Sequence, residues 1–214
     1  MKIAVYSAIT WNDDTLKTYQ AWGKADWFMF TDQPISGGKW QVIPVKDLFK
    51  NPRRNARLAK TTSHKLFPEY DYTIWIDGSM QLNITPEELI KKHLKDGIMG
   101  VLTHPDRDCP YDEAEACIKL GKDSEEEIRK QMANYLKEGF MPHQGLGETK
   151  IVIRKNCGIT SIFNDYWTLE ILNHSLRDQL SFNYCAKKCF LPITYIESWK
   201  TNKDIKYIHH VKNV

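Results

Sequence analysis

Long apolar runs are missing: nowhere in the 214 residues are there the roughly 18 to 20 consecutive apolar residues of a membrane-spanning helix. Residues 1–10 carry a single Lys and no small-residue cleavage site, so they do not read as an export signal, and the expected compartment is the cytoplasm. Glycine and proline are scarce, at 11 and 9 residues, which excludes collagen-like and low-complexity chains. The five cysteines, at 109, 117, 157, 185 and 189, form no Cys-x-x-Cys pair, and their odd number closes no disulfide framework. Free thiols in a reducing compartment are expected, with Cys185 and Cys189 packing in the core because no third soft ligand lies near them. An excess of one charge is absent too: 30 Lys and Arg against 27 Asp and Glu leave +3, without the dense basic stripe that a nucleic-acid partner requires. What is present is an ordinary globular composition, 42% apolar and 27% charged, in a length that suits one domain without repeats or linkers.

Apolar periodicity divides the chain into alternating strands and helices. Residues 2–8 form a near-continuous β-prone run, as a central strand of a parallel sheet would. Asp13 and Asp14 stand where they would cap a short helix over 15–22, closed by Gly23, and strands follow at 27–30 and 41–45. Pro52 opens a helix over 52–67, with Leu58, Thr62 and Leu66 inward and Arg53, Arg54, Arg57, Lys60 and Lys65 on the other face. A buried strand over 72–76 stops at Asp77-Gly78-Ser79. A helix over 86–94 and a strand over 98–103 come next, the latter ending at His104. The acidic helical stretches 111–120 and 123–137 read as a solvent-facing insertion or lid. Then come a strand at 150–154, a helix at 160–173 with Ile162, Tyr166 and Leu169 inward, a helix at 177–189, and short β-prone runs at 193–196 and 205–208. This alternation predicts an α/β domain, a mostly parallel sheet flanked by helices, with ligands beyond the carboxyl ends of its strands.

Asp77 is the most informative position. A carboxylate at the tip of a buried strand, followed by glycine, suits a divalent cation held against a diphosphate, because Mg²⁺ and Mn²⁺ prefer oxygen ligands. Asp-Gly is equally a turn signal, and the dipeptide alone leaves both open.

The ordered set of Phe30-Thr31-Asp32, Asn55-Ala56-Arg57-Leu58-Ala59-Lys60, His64-Lys65-Leu66-Phe67-Pro68-Glu69-Tyr70-Asp71-Tyr72, Ile74-Trp75-Ile76-Asp77-Gly78, His104-Pro105-Asp106-Arg107-Asp108-Cys109-Pro110-Tyr111-Asp112-Glu113-Ala114 and Arg177-Asp178-Gln179-Leu180-Ser181-Phe182 resembles nucleotide-sugar glycosyltransferases of the A-type, Asp-x-Asp fold. More narrowly, it is similar to a glycosyltransferase-like family that includes plant mucilage-related hexosyltransferases, and it also resembles the amino-terminal domain of a multidomain glycosyltransferase of large algal viruses. The resemblance implies a single Rossmann-like glycosyltransferase-A domain over 1–214, with a nucleotide-binding half at 1–103 and an acceptor-binding half at 104–214. It implies transfer of a hexose or deoxyhexose from a UDP-sugar to a glycan hydroxyl, with retention, assisted by Mn²⁺ or Mg²⁺ as a Lewis acid on the leaving diphosphate.

By the same resemblance Asp77, Ser79 and a terminal histidine hold the metal. Ser79 stands where the common motif has a second Asp, and His209 is preferred to His210. Ser7, Ala8, Ile9, Thr10, Asp32 and Gly78 contact the donor; Thr10 and Asp32 serve equally well as turn or cap residues. Arg57, Lys60 and Lys212 balance phosphate charge, while Arg53 and Arg54 read as a solvated face. His104, Arg107 and Gln179 are implied substrate contacts, and Asp178 is either a base or a stabiliser of oxocarbenium-like charge. Trp11 and Trp199, the least patterned tryptophans, are acceptor candidates; His64, His93, His143 and His174 show no convincing partners. Two further functions stay open: a nucleotide-sugar or glycan-binding module of weak activity, and a metal-dependent hydrolase using Asp77, His104 and His209.

Overall fold

The protein is described by a computed structural model covering residues 1–10, 15–45 and 51–208. Its frame is a seven-stranded sheet in the order β3-β2-β1-β4-β7-β6-β8. The strands are β1 (Ile3–Ile9), β2 (Asp26–Thr31), β3 (Trp40–Pro44), β4 (Tyr72–Ile76), β6 (Met99–Thr103), β7 (Gly147–Lys155) and β8 (Ile193–Ile196). β1 pairs in parallel with β2 and β4, and β8 with β6, whereas β7 runs against both β4 and β6. The expected mostly parallel α/β sheet is therefore present. A second, two-stranded sheet pairs β5 (Met80–Leu82) with β9 (Ile205–Tyr207).

Because successive strand residues face opposite sides, the apolar run of β1 feeds two cores. Tyr6 joins Trp75, Val152, Phe163, Trp167 and Phe182 on one face, while Val5 and Ile9 join Trp27, Ile74, Ile76 and Leu89 on the other. The helices are α1 (Pro52–Thr61), α2 (Ser63–Leu66), α3 (Pro86–Leu89) running into a π-turn at Ile90–Leu94, α4 (Pro110–Lys119), α5 (Glu125–Lys137), α6 (Gly158–Asn173) and α7 (Asp178–Lys188).

Four local expectations are corrected. Residues 15–22 are not helical: Ala21 N–H donates to the Leu82 carbonyl, and the Gln20 side chain bonds Met80 and Leu82, so β5 takes the bonds at the end of the segment. The proposed caps Asp13 and Asp14 lie outside the described residues. The helix from Pro52 breaks at Thr62, and its inner face is Asn55, Ala56, Ala59 and Lys60 rather than the leucines; Leu66 is exposed. Small residues allow α1 to approach the sheet closely, and a carboxylate inside receives Lys60. In α6 the larger stripe Phe163, Trp167 and Ile171 takes the core, leaving Ile162 and Leu169 outside. Finally, α4 and α5 are no lid: Ala114, Cys117, Ile128, Met132 and Tyr135 are buried in the first core, and the charged faces of both helices meet solvent.

Candidate functional site

The carboxyl ends of β1 and β4 open into a cleft of about 280 Å³. Ala8, Ile9 and Thr10 line it from β1, and Asp77, Gly78 and Ser79 from the turn after β4. That turn is tight: Asp77 N–H donates to the Lys150 carbonyl at 2.8 Å, and the Asp77 carbonyl accepts from Met80 N–H at 2.9 Å. The Asp77 carboxylate is a quarter exposed, and its Oδ1 accepts from Trp75 Nε1 at 2.6 Å. Oδ2 takes no hydrogen bond from a described residue. Ser79 is nearly buried, and its carbonyl accepts from Ile208 N–H, the last described residue.

Four basic side chains line the same cleft: Arg53, Arg57, Lys122 and Arg177. Arg53 thus belongs to the cleft and not to an idle solvated face. Lys122 and Arg177 were absent from the expected set. The signal for Arg177 lay next to Asp178 in the matched motif, whereas Lys122 sits in a stretch dominated by acidic residues and offered none.

Behind the cleft is a buried charge network. Asp178, at the first position of α7 and 3% exposed, has Arg57 Nε at 2.8 Å and Lys60 Nζ at 2.5 Å, and it accepts the Thr149 hydroxyl at 2.8 Å. Lys60 is 1% exposed, so it does not stand on a solvent face; its ammonium also lies 3.5 Å from Asp77 Oδ1 and over the ring of Trp75. Burial raises the Asp178 carboxyl, but Arg57 and Lys60 outweigh it and hold the group well below the usual carboxylate range. Burial pulls the Lys60 ammonium down, against the opposing pull of Asp178 and then Asp77. With two cations on one carboxylate, Asp178 is the group whose charge is secure. Arg154, also fully buried, braces the network from below, donating to the Tyr6 hydroxyl at 2.8 Å and to the Lys60 carbonyl at 3.1 Å.

The remaining sequence candidates are dispersed. Ser7 is buried beneath the β1 tip, and its Oγ lacks a partner among the described residues. Asp32 is exposed after β2 and accepts from the Gln33 side chain, away from the cleft lining. Gln179 is buried beside Asp178, and its Nε2 is unpartnered among the described residues. His104 and Arg107 do not line the cleft. His104 Nε2 lies 3.6 Å from Glu113 and 3.7 Å from Glu148, its Nδ1 accepts from the Asp106 and Arg107 backbones, and Arg107 pairs with Glu113 at 2.6 Å. Trp199 packs on Tyr207, with Lys150 over its ring. Trp11, His209, His210 and Lys212 lie outside the described residues. The four histidines expected to lack partners each face an acid: His64 Asp165, His93 Asp204, His143 Asp108 and His174 Glu170.

The chain is 29% identical to the probable hexosyltransferase MUCI70 of Arabidopsis thaliana over 162 residues, covering 71% of this chain and 28% of that protein. It is 27% identical to the alkaline ceramidase TOD1 of Arabidopsis thaliana over 161 residues, covering 69% of this chain and 35% of that protein. The chain therefore spans about a third or less of the curated relatives it matches. In fold it is similar to the apo structure of the bifunctional glycosyltransferase WbbM, with a TM-score of 0.52 at 11% identity, covering 91% of this chain and 38% of that one. No helix among the described residues is long and apolar enough to cross a membrane. Residues 2–205 match the model of the TOD1/MUCI70 glycosyltransferase-like domain, and the chain belongs to that family.

Proposed function

We propose that the chain binds a UDP-sugar in the cleft and transfers its hexose or deoxyhexose to a glycan hydroxyl, with retention. The observation that carries this reading is the meeting of the β1 tip with Asp77 beneath Arg53, Arg57, Lys122 and Arg177. A nucleoside can lie along Ala8 to Thr10, with Asp32 at the outer edge, while cationic side chains face its diphosphate. The oxygen donors of Asp77 and Ser79 fit a hard cation, Mn²⁺ or Mg²⁺, with His209 as third ligand and Lys212 as a further positive charge. That cation supplies Lewis-acid stabilisation of the leaving diphosphate. Lys60 adds positive charge behind Asp77 without entering the cleft.

Asp178 is too firmly ion-paired to accept a proton near neutral pH, so its role is to fix Arg57 and Lys60 and to supply negative charge near the reacting carbon. This favours retention over a base-driven inverting step. His104, Arg107 and Gln179 bind acceptor from the carboxy-terminal half, 104–214, with 1–103 as the donor-binding half. Five free cysteines accord with a reducing compartment such as the cytoplasm.

Two observations favour other readings. One relative is named an alkaline ceramidase, which favours hydrolysis, although His104 does not line the cleft with Asp77 as the hydrolase triad requires. Ser79 in place of a carboxylate favours a binding module. Calorimetry and thermal unfolding against UDP, GDP, ADP and UDP-sugars, with and without Mn²⁺, test the donor site, since a ligand of the native state raises its stability by mass action. Manganese-dependent UDP binding lost in Asp77→Ala is expected; no nucleotide binding under any condition would sink the transferase reading. Sugar transfer, release of free sugar to water, or binding without turnover then separates the three.

A further inference from the structure

A second group of ligating side chains lies on the same edge of the sheet, separate from the cleft. Cys109, Asp112 and His143 each bring one donor atom to within 4.8 Å of the other two. Cys109 and Asp112 come from the start of α4, and His143 from the loop between α5 and β7. β6 leads towards α4, and β7 enters antiparallel beside it, so both segments arrive at the carboxyl end of β6.

Three features of this group have no use in the fold alone. Cys109 occupies the N-cap of α4, a position that Ser, Thr, Asp or Asn normally fills because their oxygens accept from the helix N–H groups. Its side chain is completely buried and makes no capping hydrogen bond, so the helix does not use the sulfur. His143 adopts φ +58, a left-handed conformation that a residue with a β-carbon takes at a cost and that concentrates at functional positions. Asp108 Oδ1 lies 3.0 Å from His143 Nδ1, the carboxylate–imidazole pairing that orients metal-binding rings, and it leaves Nε2 to coordinate. The Tyr111 hydroxyl donates to the Phe140 carbonyl and ties the two segments together at the same place.

We propose that Cys109, Asp112 and His143 bind a Zn²⁺ ion, with Asp108 orienting His143 and water as the fourth ligand. Thiolate, imidazole and carboxylate form a set that selects zinc over the hard cations suited to Asp77. Tetrahedral zinc holds its ligand atoms about 3 to 4 Å apart, so small side-chain rotations close the site. Asp112 and His143 are exposed and provide the entry path. The ion fastens the α5–β7 loop to the start of α4. None of this depends on the transferase reading.

The test is zinc titration of the whole chain, freed of metal by a chelator, by calorimetry against a competing chelator and by the absorption of its Co²⁺ complex. One zinc per chain is expected, with a thiolate-to-cobalt charge-transfer band that disappears in Cys109→Ser. Zinc affinity should fall at least about tenfold in His143→Asn, a change at an exposed position that keeps a residue tolerant of positive φ. If Cys109→Ser does not fold, His143→Asn and Asp112→Asn decide the matter. Absence of zinc binding overturns the proposal. So does an affinity unchanged in His143→Asn, or one lost in Asp77→Ala and kept in His143→Asn.

Discussion

At the start of α7, Asp178 is held by the permanent cation of Arg57 and the ammonium of Lys60, whereas at the end of β6 His104 lies between two carboxylates, Glu113 and Glu148. Both clusters are buried in the carboxyl edge of one sheet, yet their charge is secured differently. The first sets two cationic side chains against one carboxylate and so holds Asp178 well below the usual carboxylate range. The second depends on a titratable ring that burial holds neutral. A site built to stabilise developing charge needs the first kind of fixed field, while the second can respond to its surroundings.

The largest break in this contrast is Asp178→Ala. It strands the buried Lys60 without its main partner, which costs about 3 to 5 kcal/mol, as removal of one member of a buried ion pair does. Urea unfolding should show the loss, and the double variant Asp178→Leu with Lys60→Met should cost less than the single change. The depressed Asp178 group contributes stability that is complete above its unfolded value of about 3.9 and is lost progressively as pH falls from there through the lower folded value.

His104 behaves differently. Burial pulls its imidazole down in spite of Glu148 and Glu113, so below about pH 6.5 the unfolded chain takes up a proton that the native one resists. Stability present above that pH should decline as pH falls from about 6.5, by at most about 1.4 kcal/mol per unit, and His104→Gln should flatten the decline. A denaturation series from pH 7.5 to 5 measures it; a slope unchanged in the variant would assign the effect elsewhere. The smallest change in stability belongs to Asp77→Asn. Its amide oxygen still accepts from Trp75 and Lys60 keeps its main partner Asp178, so unfolding should move by less than in Asp178→Ala, while manganese-dependent nucleotide binding is lost.

Asp77 was legible because an apolar run that must be buried on both faces stops at an acid, and that pattern is local. The strand content was legible for the same reason. Lys60 was not: its partner Asp178 is 118 residues away, and no periodicity carries a contact of that range. The spacing by four of Leu58, Thr62 and Leu66 implied the wrong face of α1, since the helix is interrupted at Thr62 and the small Ala56 and Ala59 pack better. Arg154 ends the apolar run of β7 and reads as a strand edge, though it is among the most buried side chains in the protein. The partners of the four histidines likewise come mostly from other elements.

The pairing of β5 with β9 has a consequence in time. Met80 finds Tyr207, and the Ser79 carbonyl finds Ile208 N–H, only after the intervening chain exists. During synthesis from the amino end, the parallel strands β1 to β4 emerge together, but the turn bearing Asp77 waits for the last described strand. Closures of such long range are slow because chain entropy is lost before contacts repay it. A nascent chain released before Ile205 would carry its sheet and much of its core while the Asp77 turn lacked its partner strand, folded in outline and unfinished at the cleft.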